Sequence, residues 1–220
     1  MTGASAANNL AASADVVLAV GSRLQDFTTA SNSLIGGRVI ALNVQPHDLV
    51  KHCAMPLMAD ALRGIEGLAA GLQDYTTANA YRSEISTEWN GWMKDVDAVC
   101  SAPADSNALP SDAQVIGAVN RSCPPETIVV GAAGSMPGEL HKLWQVGAVD
   151  GYHMEYGFSC MGYEVAAGIG VDMAAPDRPN VIFAGDGSYL MLNAELATAV
   201  MMGRNMTLII TDNRGFGCIN

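Results

Sequence analysis

The sequence predicts an α/β fold in which two parallel, helix-covered sheets follow one another along the chain. Three observations carry this expectation. Short apolar runs recur at residues 16–20, 127–130, 181–184 and 206–210, and runs apolar at consecutive positions belong to strands buried on both faces, as in parallel sheets. Stretches of helical character separate them, the strand–helix alternation of parallel architectures. The runs end in glycine-rich or polar tips: Gly21-Ser22, Gly131-Ala132-Ala133-Gly134-Ser135, Gly185-Asp186-Gly187 and Asp212-Asn213-Arg214-Gly215. Ligands of open α/β sheets bind at that edge, outside the carboxyl ends of the strands.

Taken in order, residues 3–14 read as a small-residue helix, followed by a strand at 16–20 and a tight turn at Gly21-Ser22. A second strand at 38–43 follows a Gly-Gly turn. Residues 56–60 read as a third short strand, with Asp60 capping a helix to about residue 72, because an aspartate before a helical run accepts from its free N–H groups. Residues 81–99 form a potential amphipathic helix whose tryptophans, Trp89 and Trp92, are expected to pack on a domain surface. Residues 101–110 read as a Pro/Ala/Ser/Asn loop. The expected organisation is a first domain at 1–75, a linker at 76–108 and a second domain at 109–220.

The second domain opens with a helix capped by Ser111 or Asp112 and running through Asn120. A strand at 127–130 leads into the tiny-residue loop ending in Gly134 and Ser135, where backbone can meet phosphate. Residues 165–170 read as a small-residue helix entered through Ser159, Met161 and Gly162. A helix over 189–202, stopped by Gly203, links the last two strands.

The tips of those strands carry the chemistry. Gly185 and Gly187 let backbone N–H groups approach an anion. Asp186 offers a carboxylate oxygen, and Asn213, twenty-seven residues later at the next strand end, offers an amide oxygen. With the carbonyl of Gly215 and two diphosphate oxygens these make an oxygen-rich octahedron of the kind Mg²⁺ takes.

Composition narrows the alternatives. The 220 residues carry 22 acidic and 11 basic side chains, a net charge of −11. A phosphate-backbone binder needs a basic face, so nucleic acid is not the expected partner. No apolar run approaches the ~20 residues of a membrane span. Five scattered cysteines, without a C-x-x-C pair, point to free thiols in a reducing cytoplasm.

Gly185-Asp186-Gly187 after a buried strand, with Asn213 at the end of the next, resembles the thiamine-diphosphate fingerprint of the pyruvate-decarboxylase and acetohydroxyacid-synthase superfamily. The segment Ala14-Asp15-Val16 to Arg23, with Asp26 and Phe27, is similar to the Rossmann-like central domain of that superfamily, which holds a flavin or ADP in some members. Three further segments resemble the ring-opening trihydroxycyclohexanedione hydrolases of inositol catabolism: residues 132–144, 153–164 and 212–220.

The resemblance implies that Asp186, Asn213 and the Gly215 carbonyl hold Mg²⁺, that Gly134, Ser135, Gly185, Gly187 and Ser188 serve the diphosphate, and that Ser159 and Met161 meet the aminopyrimidine. It also implies a cyclic diketone substrate, a homodimeric or homotetrameric full-length enzyme, and an activating glutamate on a separate N-terminal domain. These 220 residues are therefore expected to be a fragment, inactive alone. His153 and Glu155, just before Met161, are candidate acid–base groups. Acetohydroxyacid synthase or 2-oxoacid decarboxylase chemistry is the alternative within the superfamily, and a non-catalytic nucleotide-binding module is the alternative outside it.

Overall fold

The computed structural model describes residues 3–101 and 107–219, so part of the expected loop at 101–110 lies outside the described residues. The chain divides into two compact units, Met1–Asp95 and Val96–Asn220.

The first unit runs α1 (Ser5–Ser13), β1 (Val16–Val20), α2 (Asp26–Thr29), β2 (Arg38–Asn43), α3 (Pro46–Leu49), β3 (Met55–Met58) and α4 (Ala61–Gly71), and then enters α5 (Asn79–Cys100), which continues past the division. Its sheet is parallel in the order β1-β2-β3, with Leu18 opposite Ile40 and Leu42 opposite Leu57. Ala19, Val39, Ala41, Leu49 and Ala54 form its core with Leu24. Asp60 caps α4, its Oδ1 accepting from Leu62 N–H at 3.0 Å and Arg63 N–H at 3.3 Å. Gly21, at φ +63, turns the chain after β1 and donates its N–H to Leu42 C=O at 2.9 Å. Helix α5 falls where amphipathic spacing places a helix, but Trp89 is 61% exposed and does not pack as expected. Only Val96 and Cys100 of this helix are buried, so its polar face dominates.

The second unit continues with α6 (Asp112–Ser122), β4 (Ile128–Gly131), α7 (Ser135–Leu143), β5 (Tyr152–Met154), α8 (Tyr163–Ala174), β6 (Asn180–Gly185), α9 (Asp186–Met191), α10 (Glu195–Met201) and β7 (Thr207–Thr211). Its sheet is parallel in the order β5-β4-β6-β7. Ser111 starts α6 with a capping box: its Oγ accepts from Gln114 N–H at 3.3 Å while Gln114 Oε1 accepts from Ser111 N–H at 2.8 Å. The central strands are buried on both faces, with Val129, Val130, Ile182, Phe183 and Ala184 at 0% exposure. Burying a side chain of this kind stabilises by roughly 1.5–3 kcal/mol, so the register that delivers the strand tips is firmly specified. Helix α8 lies tight on the sheet because Gly168 has no side chain; a Cβ there would fall 2.5 Å from Ile182 Cδ1.

One expected helix is two. The stretch from 189 to 202 breaks after α9, where Leu192 (φ −145, ψ 39) leaves helical geometry. Helix α9 also begins earlier than expected, at Asp186, so the aspartate is its first residue rather than part of a preceding turn. Gly203, at φ +63, ends α10 as expected.

Candidate functional site

Strands β6 and β7 finish side by side, Gly185 opposite Thr211. Gly185 is the N-cap of α9, and a Cβ built on it would meet nothing within 4 Å, so the end of β6 opens into free space. Asp186 follows. Its Oδ1 is buried and has no hydrogen-bond partner among the described residues. An unsatisfied buried acceptor costs about 1–3 kcal/mol, more on a charged group. An oxygen kept in that condition beside an open strand end is placed for a ligand.

Around it, three further loops supply polar groups. After β4, Gly134 adopts φ +117, a conformation that disfavours a side chain, and serves as N-cap of α7, with Ser135 first in the helix. After β7, Asp212 Oδ1 accepts from Arg214 N–H at 2.9 Å, which turns the loop and carries Arg214 to φ +62. A Cβ on Gly217 would lie 2.9 Å from Asn213 Nδ2 and 3.3 Å from Ser135 Oγ, which places these three residues together. A Cβ on Gly187 would lie 2.6 Å from Phe216 Cε1, so the Phe216 ring rests on the space that Gly187 leaves. Ser135, Gly187, Asn213, Phe216 and Gly217 are thus gathered at one edge of the sheet.

The loop from 155 to 162 borders the same edge. Glu155 Oε1 accepts from Phe158 N–H at 2.8 Å and Oε2 from Cys160 N–H at 2.7 Å. These backbone donors, led by that of Cys160, hold its carboxyl below the usual range. A carboxylate spent on holding its own loop, and with its proton affinity lowered, is a poor proton carrier near neutrality. Glu155, a candidate acid–base group by sequence, holds its own loop here, and Ser159, at φ +57, lies within the span it bridges. Gly162, at φ +86, donates its N–H to Ser188 Oγ at 2.8 Å, and Ser188 lies 2.7 and 2.8 Å from the two oxygens of Glu164. The Ser188 hydroxyl is therefore engaged with Glu164 and Gly162.

His153, on β5 opposite Val130, is exposed, and its Nε2 is 2.7 Å from Tyr163 OH with the rings stacked 5.8 Å apart. Nearby, His141 stacks on Tyr156 at 6.4 Å and meets Tyr152 edge-on at 6.1 Å. Burial pushes the Tyr152 phenol far up, so it stays protonated.

Two family descriptions match the chain. "Thiamine pyrophosphate enzyme, central domain" matches residues 1–68, and "Thiamine pyrophosphate enzyme, C-terminal TPP binding domain" matches residues 132–220. The chain belongs to the thiamine pyrophosphate enzyme family. Among its curated relatives is the 3D-(3,5/4)-trihydroxycyclohexane-1,2-dione hydrolase of Geobacillus thermodenitrificans, 39% identical over the whole chain. The proteins of that name from Clostridium perfringens and Bacillus cereus are 36% and 35% identical. The chain spans 38% of the length of each of these relatives.

The thiamine pyrophosphate enzyme fold and the site agree. The unpartnered Asp186 Oδ1 is the hard oxygen a divalent cation takes, and Asn213 stands on the neighbouring strand tip. A Cβ on Gly185 would meet nothing within 4 Å, so the strand end is not closed over at that point. Met161 and Gly215, the other residues singled out by sequence, are both half-buried. What sequence reasoning missed is the pair beneath: Glu164, 1% exposed, and Phe216 over Gly187. A lone glutamate opening the apolar helix Tyr163–Ala174 was the available signal for the first. An acid in a first helical turn ordinarily faces solvent, where it complements the helix dipole. Among the described residues no helix is long and apolar enough to cross a membrane.

Proposed function

We propose that this chain provides the cofactor cradle of a thiamine-diphosphate-dependent hydrolase that opens 3D-(3,5/4)-trihydroxycyclohexane-1,2-dione to 5-deoxy-glucuronate. The buried, unpartnered Oδ1 of Asp186 at the open end of β6 carries the reading, and the names of the relatives supply the substrate. Asp186, Asn213 and the Gly215 carbonyl hold Mg²⁺ against the diphosphate. Gly134, Ser135, Gly185 and Gly187 line the diphosphate, with Ser188 contributing backbone only. Ser159 and Met161 face the aminopyrimidine.

When bound, thiamine diphosphate supplies the carbon nucleophile and the electron sink that breaking a C–C bond beside a carbonyl requires. The chain's own residues position and protonate. Tyr163 fixes one nitrogen of His153, leaving Nδ1 to exchange a proton with the substrate at the sheet edge. The acidic surface, with a net charge of −11, and five unpaired thiols suit a cytoplasmic homo-oligomer acting on a small cyclic diketone.

Titration calorimetry of the chain with thiamine diphosphate, with and without Mg²⁺, tests the reading. Metal-dependent binding that His153→Ala leaves unchanged is expected. Binding indifferent to Mg²⁺, or preference for NAD or ADP over thiamine diphosphate, would sink it. In the complete enzyme His153→Ala should lower kcat on the cyclic dione by roughly 10²–10⁴.

A further inference from the structure

Glu164 is the second residue of α8 and is 1% exposed, as is Ser188 in α9. Both carboxyl oxygens approach the one Ser188 hydroxyl, at 2.7 and 2.8 Å, and that hydroxyl accepts from Gly162 N–H at 2.8 Å. A hydroxyl has a single proton to donate. Two close oxygens suit a cyclic pair, in which Ser188 donates to one oxygen and the acid's own O–H donates back. Burial favours that arrangement, because it raises the carboxyl's affinity for its proton. The turn it secures is itself tight. Gly162 sits at φ +86, and a Cβ there would lie 3.1 Å from Met191 Cβ and 3.5 Å from Leu192 Cβ. One end of this linkage is the Met161–Gly162 turn; the other is the helix whose first residue is Asp186.

We propose that Glu164 is a positioning residue that, through the Ser188 hydroxyl, locks the Met161 turn to the Asp186 helix so that the two walls of the cofactor cleft hold one spacing. Glu164 touches no part of the cofactor. The proposal rests on the reading of the cleft as a thiamine-diphosphate site. It predicts that loosening the lock moves the metal-ligand wall relative to the wall that faces the aminopyrimidine, so that affinity falls while the fold stays.

The test compares the full chain with Glu164→Gln, Glu164→Ala and Ser188→Ala by amide hydrogen exchange and by calorimetry with thiamine diphosphate and Mg²⁺. Glu164→Ala should speed exchange at Gly162 and across residues 186–191, leave the first sheet unchanged, and weaken cofactor binding by about tenfold, as loss of a group behind a ligand shell does. Glu164→Gln offers a carbonyl and an amide donor in the same places and should keep both protection and affinity. If Glu164→Ala does not fold, Ser188→Ala carries the same expectations with a smaller excision. Wild-type exchange in the alanine variants overturns the proposal, as does wild-type affinity once protection is lost, or a glutamine variant as loose as alanine. The exchange arm needs no cofactor, so it reads the lock separately. A wild-type chain that never binds thiamine diphosphate defeats the cofactor reading, and the proposed effect on affinity with it.

Discussion

At the carboxyl edge of the first sheet, polar tips are spent on one another. Gly21 N–H donates to Leu42 C=O at 2.9 Å, Leu24 N–H to Ser22 Oγ at 3.1 Å, and Asn43 Nδ2 to Ser22 C=O at 3.1 Å, while Asn43 Oδ1 accepts from Gln45 N–H at 3.0 Å. At the same edge of the second sheet the asparagine at the strand end stands exposed, and Asp186 keeps a buried oxygen without a partner. Both sheets are parallel and both end in Gly, Ser, Asp or Asn. Of these two edges only the second holds, among the described residues, a buried side-chain oxygen without a partner, a condition that suits a ligand.

The sharpest way to break this contrast is Asp186→Ala. Calorimetry should show Mg²⁺-dependent thiamine-diphosphate affinity falling by up to about 100-fold, the upper range for residues at a metal. Thermal melting without ligand should show a Tm no lower than wild type, because the variant removes an unsatisfied buried oxygen. A lower ligand-free Tm would mean that the carboxylate is structural and that the two edges do not differ as argued.

Glycines make the next comparison. In Gly64→Ala of the first unit the new methyl would meet both methyls of Leu42 at 2.5 Å, and Leu42 is fully buried, so overpacking should cost about 1–3 kcal/mol in denaturant unfolding. Cofactor binding should not change. In Gly187→Ala the obstacle is the far end of Phe216, 43% exposed and free to swing away. That variant should lose less than about 1 kcal/mol of stability, within the range of ordinary surface changes. Its affinity for the cofactor should drop instead.

Asn43→Ala should lower stability by about 1–2 kcal/mol through two lost hydrogen bonds and leave binding untouched. Loss of binding in this variant would erase the distinction between the edges.

The smallest effect is in the pH dependence of unfolding. Burial raises the Glu164 carboxyl above its ordinary value, so the native state holds its proton more tightly than the unfolded chain. Its contribution is full below the unfolded pKa and declines as pH rises through the folded one. Glu155 has the opposite sign: backbone N–H groups lower its carboxyl, so its contribution is present above the unfolded pKa and is lost as pH falls through the folded one. Chemical unfolding over a pH series should show Glu164→Gln flattening the decline on the upper side and Glu155→Gln flattening the acid side. Exchanged effects would contradict the assignment of one group as buried and the other as a loop clamp.

Much of the fold was legible where local chemistry decides it. Residues 16–20 and 38–43 are strands with the bounds their apolar runs predict, and Asp60 and Ser111 cap the helices they precede. Tertiary circumstances defeated the reading elsewhere. A single helix is expected over 189–202, but residues 192–194 interrupt the α-helix between α9 and α10 with i→i+3 bonds such as Leu196 N–H to Asn193 C=O. Periodicity does not report such a break when both halves are helix-forming. Trp89 was expected to pack and is exposed, because amphipathic spacing shows that a face exists and not that anything covers it. The partners of the Ser188 and Glu155 side chains, Glu164 and backbone N–H groups, are likewise chosen by packing.

By itself, the sequence determined the class of fold, the strands at 16–20, 38–43, 127–130, 181–184 and 206–210, and the edge at which the tips after β6 and β7 lie. Those follow from apolar runs, caps and the glycines that turn the chain, all properties of near neighbours along it. The tertiary structure alone decided which polar groups remain available. Whether a hydroxyl faces a cleft or a buried carboxyl depends on what the fold brings against it from twenty or more residues away, as Ser188 and Glu164 are 24 apart in the chain. Hydrogen-bonding capacity is finite, and it is the distant partner that uses it or leaves it free.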